Sequence, residues 1–169
     1  MRKLLGALLI VLGAFLGGRE AAAKKREGYR TLAALADALE RMEEELSFRL
    51  LPLPELLRTA GEGAAGEVGR FLLRCAEASR MPPDEPFRIR WERELLILGP
   101  IGEEGVRALR ELGAVLGRCD AQGQADALRR ARAALEREAQ RQREDAQGSA
   151  RVVQTLWTAG GALLALLLL

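Results

Sequence analysis

Apolar residues in this chain fall into two uncharged runs at the ends and a series of helical repeats between them. Leu4 through Gly18 carries no charge, and neither does Val152 through Leu169. Between the runs, Leu32, Leu35, Leu39, Met42 and Leu46 recur at alternating three- and four-residue steps. That spacing draws one apolar stripe along a helix from Tyr29 to Leu50. Pro52 and Pro54 interrupt it, and Leu53, Leu56 and Leu57 mark a short helix ending near Gly61. Val68, Phe71, Leu72 and Cys75 form a third stripe, stopped by Met81-Pro82-Pro83-Asp84. Phe87, Trp91, Leu95 and Leu98 form a fourth, closed by the turn Gly99-Pro100. Val106, Leu109, Leu112 and Leu116 form a fifth, closed by Gly117, after which Asp120 is placed to cap the last helix. No proline follows Ala121, so one long helix is expected into the C-terminal run, with Gly148 as the place for a break. Its apolar seam of Ala125, Leu128, Leu135 and Ala139 is narrow and needs a partner helix, for which the first helix is the natural candidate. The expected fold is all-α. A bundle of about six helices lies between two transmembrane helices, its first and last cytoplasmic helices continuing from the spans as a stalk.

The terminal runs set the domain boundaries: a first span over 1–19, a cytoplasmic helical domain over 20–150 and a second span over 151–169. A span needs about 20 apolar residues. The C-terminal run approaches this, with Trp157 near its start as an interfacial anchor, while the N-terminal run is shorter. Arg2-Lys3, an apolar stretch and Ala21-Ala22-Ala23 also suit a cleavable signal peptide, although Arg19 and Glu20 then sit just before the cleavage site. Gly13 and Gly17, with Gly161 in the second run, are candidate positions for close span packing. Arg19, Lys24, Lys25, Arg26 and Arg30 after the first run, and Arg132, Arg137, Arg141, Arg143 and Arg151 before the second, place the middle domain in the cytoplasm. These basic flanks would hold anionic headgroups of the lipid bilayer. Interleaved Glu and Asp weigh against nucleic-acid binding.

The residue inventory argues against catalysis. The chain has no His, hence neither the commonest general base nor the commonest metal ligand. Cys75 and Cys119 are too far apart for a metal knuckle; they read as two packed thiols or as a disulfide, and a cytoplasmic setting favours thiols. Gly61-Glu62-Gly63-Ala64-Ala65-Gly66 matches the dinucleotide-binding string in letters, but no strand precedes it and Glu62 stands where a pyrophosphate would lie, so a flexible interhelix loop is expected. No Walker lysine motif exists. In Glu43-Glu44-Glu45, neighbours point about 100° apart on a helix, so the carboxylates do not converge. Glu43 and Glu44 are expected in solvent and Glu45 in a structural salt bridge beside the apolar stripe. Ser47, Ser79 and Ser149 have no His to activate them. The expectation is a protein that is not an enzyme and takes no cofactor or metal.

The order of features resembles the stage III sporulation protein AB family, membrane components of the mother-cell-to-forespore channel of endospore-forming bacteria. Three places carry the resemblance: Leu4-Leu5-Gly6-Ala7-Leu8-Leu9-Ile10; Met42-Glu43-Glu44-Glu45-Leu46-Ser47-Phe48 with Pro52-Leu53-Pro54-Glu55; and Leu112-Gly113-Ala114-Val115-Leu116-Gly117 followed by Asp120 and Gln124. Phe48 departs from the family's usual Tyr, Glu44 from its Thr, and Gly102 stands where an acidic helix start is expected. The family is in turn similar to the cytoplasmic domains of the type II secretion and type IV pilus platform protein. The resemblance implies a two-span inner-membrane platform on the mother-cell side of the outer forespore membrane. Its implied partners are other channel components and a cytosolic secretion-type ATPase encoded beside it. Glu43 to Glu45 and the corner from Leu116 to Gln124 are then candidate partner contacts that equally suit internal packing, and Glu45, Pro52 and Gly117 are expected to be structural rather than to touch a partner. A membrane-tethered helical scaffold with no ATPase, or an exported domain with a C-terminal anchor, are the competing functions.

Overall fold

The leucine stripe of the first helix disappears into the core: Leu32, Leu35 and Met42 expose none of their surface and Leu39 only 1%. Each such leucine contributes about 1.5–3 kcal/mol by leaving water, which is why this helix organises the rest. The computed structural model describes the backbone of residues 2–81 and 85–168, and the side chains of 26–81, 85–145 and 148. Within those residues the chain is all-helical: α1 (Arg2–Arg49), α2 (Leu53–Glu62), α3 (Gly66–Arg80), α4 (Phe87–Glu94), α5 (Gly102–Val115) and α6 (Ala121–Leu168). The expected fourth helix is split, since α4 tightens into a 3₁₀ turn over Leu95–Leu98 before Gly99 reverses the chain at φ +65°.

α1 and α6 pair antiparallel between residues 28–43 and 129–142. Glu43 meets Arg129 at 3.6 Å and Glu40 meets Arg132 at 2.8 Å, while farther along Gly28 lies against Gln142. Leu128 and Leu135 of α6 are fully buried in this pairing, and Ala125 nearly so. The narrow seam on α6 therefore finds the partner its pattern requires. No break occurs at Gly148, through which α6 continues as one helix.

The short helices cover one side of this hairpin. α2 and α3 cross closely enough that Gly61 and Gly69 touch: a Cβ on Gly69 would collide with the carbonyl oxygens of Ala64 and Gly61. The string Gly61–Gly66 is thus a tight turn rather than a flexible loop. Gly61 and Glu62 complete α2, Gly63 N–H donates to Thr59 O at 3.2 Å, and Gly66 opens α3 at φ +65°. α4 contributes Trp91, which is fully buried, stacks edge-on against Phe71 at 4.7 Å, and donates its indole N–H to Leu109 O of α5 at 2.7 Å. α5 does begin at Gly102, whose φ of +75° and contact with the Glu138 carboxylate explain a residue without a Cβ there; the acidic first turn follows as Glu103 and Glu104.

Among the described residues no helix is long and apolar enough to cross a membrane. The side chains of the two terminal runs, with Gly13, Gly17 and Gly161, lie outside the described residues.

Candidate docking surface

The residues singled out from sequence gather where α1 ends, α2 begins, α5 ends and α6 begins. Arg49 is the last residue of α1, and Leu50 N–H still reaches Leu46 O at 3.3 Å. Pro52 then starts α2, its carbonyl accepting from Glu55 N–H at 3.0 Å and Leu56 N–H at 2.9 Å. Across from it, Gly117 ends the α5 turn at φ +73°, a left-handed conformation that an L side chain resists, with Leu53 packed against it. Gly117 N–H donates to Gln124 Oε1 at 3.1 Å, and Gln124 Nε2 donates to Cys119 O at 2.9 Å. Asp120 caps α6 by accepting from Gly123 N–H at 2.9 Å. Gly117, Asp120 and Gln124 therefore form one hydrogen-bonded clamp on the α5–α6 turn, at the surface of the fold.

The acidic triplet divides in three. Glu43 is not in solvent: its register faces α6, where Arg129 bridges it to Asp126. The hydrogen bond to Asp126 holds the Arg129 pKa above its ordinary value, the Asp126 and Glu43 charges adding to the effect. Glu44 is exposed. Glu45 flanks the apolar stripe; its Oε2 is shut off from water and accepts no hydrogen bond, and Arg49 Nη1 lies 3.3 Å away as its ion pair. The basic flank is likewise partly consumed inside the fold. Arg132 pairs with Glu40 and Glu136, and Arg141 with Glu104 and Glu138, so neither is a free contact for headgroups.

Beside exposed polar residues such as Glu44, Ser47 and Arg118, this end presents two large apolar side chains to solvent. Phe48 is 86% exposed and Leu50 68%. Leu50 sits at φ +50°, the left-handed region where glycine is usual and a leucine costs about 1–2 kcal/mol. Neither was singled out as a contact from sequence, although Phe48 lies off the stripe of Leu39, Met42 and Leu46. That displacement was the available signal.

The two thiols are separate and free, Cys75 buried and Cys119 exposed, so no disulfide links them. Burial, reinforced by the nearby Glu94 charge, pushes the Cys75 thiol far up from its ordinary value. The thiolate is the reactive species. We expect a maleimide at neutral pH to label Cys119 alone in the folded chain and Cys75 only after denaturation; mass spectrometry of tryptic peptides reads the outcome, and native labelling of Cys75 would contradict the packing.

This architecture can be set beside known proteins. A family model described as stage III sporulation protein AB matches residues 3–169. The chain belongs to the stage III sporulation protein AB family. A solved structure titled stage III sporulation protein AB (SpoIIIAB) superposes with a TM-score of 0.62 at 19% identity, covering 72% of this chain and 97% of that one. At that identity the likeness establishes a shared fold. No curated protein matches the chain. In this member of the stage III sporulation protein AB family, the run Leu112-Gly113-Ala114-Val115-Leu116-Gly117 has two glycines with different work. Gly113 lies flat under the Trp91 ring, which a Cβ would strike, and Gly117 turns the chain.

Proposed function

We propose that this sporulation protein is a non-enzymatic membrane platform whose hairpin end, farthest from the two terminal apolar runs, receives a cytosolic secretion-type ATPase of the sporulation channel. The observation that carries the reading is the exposed pair Phe48 and Leu50, the first in the last turn of α1 and the second just beyond it at a left-handed φ. Strain retained in a left-handed leucine is the kind of local cost that function preserves, and exposed aromatics and aliphatics in one place suit a partner. In this reading both terminal runs stay in the bilayer, the helical domain lies in the cytoplasm on the mother-cell side, and Glu44 sits at the rim of the contact.

A pull-down of the neighbouring-gene ATPase by the full chain in detergent tests it. The double variant Phe48→Ala/Leu50→Gly removes both side chains, and glycine at position 50 relieves the backbone, so this variant melts no lower than the wild type. We expect the wild type to retain the ATPase and the variant to lose it. No retention by the wild type at micromolar protein, or equal retention by both, overturns the proposal.

A further inference from the structure

A groove of about 420 Å³ runs between α5 and α6, on the side of α6 away from α1. Its accessible apolar lining is Val115 of α5 with Ala133 and Ala134 of α6, over a buried floor of Ala108, Leu112, Ala127 and Ala131. Above the floor stand Arg107, Arg130 and Arg137, all exposed. None of the three is in an ion pair among the described residues, in contrast to Arg129, Arg132 and Arg141 on the same helix. The acids at the groove are fewer, because Glu104 is already bound to Arg141 at 3.3 Å and only Glu111 is left. Unused positive charge thus lines an alanine-floored channel between two parallel ridges of side chains.

Small residues between two helices let a third backbone approach closely, which is how ridges and grooves pack. The charge selects which third helix. Arg130 and Arg137 are seven residues apart on α6, about 10 Å along the axis, and no single phosphate spans that gap. A helix laid in the groove matches it with acids two turns apart on its own flank. A second copy of this chain offering the same groove would set arginine against arginine and be repelled. We propose that the α5–α6 groove docks an acidic amphipathic helix of a partner protein, its apolar face on the alanines and its carboxylates on Arg107, Arg130 and Arg137. The groove reaches the α5–α6 turn but shares no lining residue with Phe48 and Leu50, and the proposal does not rest on the ATPase reading.

Fluorescence anisotropy on the full chain in detergent micelles tests the assignment. The probe is a labelled synthetic helix of about three heptads, with Leu and Ala on one face and Glu at every seventh flanking position; its control carries Lys in place of Glu. We expect the acidic peptide to bind and the basic one not to. Arg130→Glu/Arg137→Glu should weaken the acidic peptide about tenfold, as loss of two exposed charge pairs and their replacement by repulsion requires, and should begin to bind the basic peptide. Ala134→Trp, which fills the groove without touching charge, should also weaken it, whereas Phe48→Ala/Leu50→Gly should not. Equal binding of both peptides, or no effect of the charge reversal, overturns the proposal. Arginine-dependent binding of phosphatidylglycerol vesicles without peptide binding overturns it in favour of a headgroup site. A charge reversal that instead dissolves a dimer seen by light scattering overturns it in favour of self-association.

Discussion

Trp91→Ala is expected to lower the stability of the bundle by about 3–5 kcal/mol, the range for truncating a buried aromatic. The ring exposes no surface, and it joins three elements at once: Phe71 of α3 on its edge, Phe87 of α4 at 5.9 Å, and the Leu109 carbonyl of α5 through its N–H. Removing it leaves a cavity that cannot close, because the floor below is the bare backbone of Gly113, fixed within α5. Trp91→Phe refines the test. It deletes the hydrogen bond and part of the volume, so its cost should fall well below that of alanine. Urea denaturation of the full chain in detergent, followed by circular dichroism, measures both; an alanine variant as stable as wild type would mean that Trp91 is not the centre of the small-helix layer.

The second large effect is expected at Gly69. A Cβ there meets main-chain oxygens, those of Ala64 and Gly61, rather than the end of a flexible side chain. Neither carbonyl yields without moving the turn between α2 and α3. Gly69→Ala should therefore cost about 1–3 kcal/mol as an overpacked contact, despite the better helix propensity of alanine, which alone would favour the substitution by about 1 kcal/mol. The sign is what decides: a thermal melt at or above the wild-type midpoint would show that the two helices have room to part. Gly148 is the contrast, since nothing lies within reach of a Cβ there and alanine should be harmless.

What could be read from sequence and what could not follows from the range of each interaction. The stripes on α1, α3 and α5 announce themselves because burial repeats with the helical period, and the need of α6 for a partner follows from the narrowness of its seam. The cap at Asp120 and the turn at Gly117 are local and equally legible. Contacts made across the fold were not. Glu43 looked like a solvent residue because only the antiparallel register of α6 brings Arg129 to it. Arg132 and Arg141 looked like headgroup contacts because the acids that hold them are on α1, α5 and α6 itself. Gly61, Gly69 and Gly113 gave no hint of close approach, since a glycine on a helix reads only as a weak helix former until its neighbour is known. At the candidate surface the charged triplet drew attention, while Phe48 stood out only as a departure from the family's Tyr and Leu50 only as the end of the first helix.

α1 and α6 each pass from the packed bundle toward their terminal runs as a single 48-residue helix, with no linker between. Such a shaft has no joint. A tilt imposed at one end meets no intervening loop before it reaches the other. A partner held at Phe48 and Leu50, as we propose, would thus be joined by continuous helix to the far ends of the same two rods.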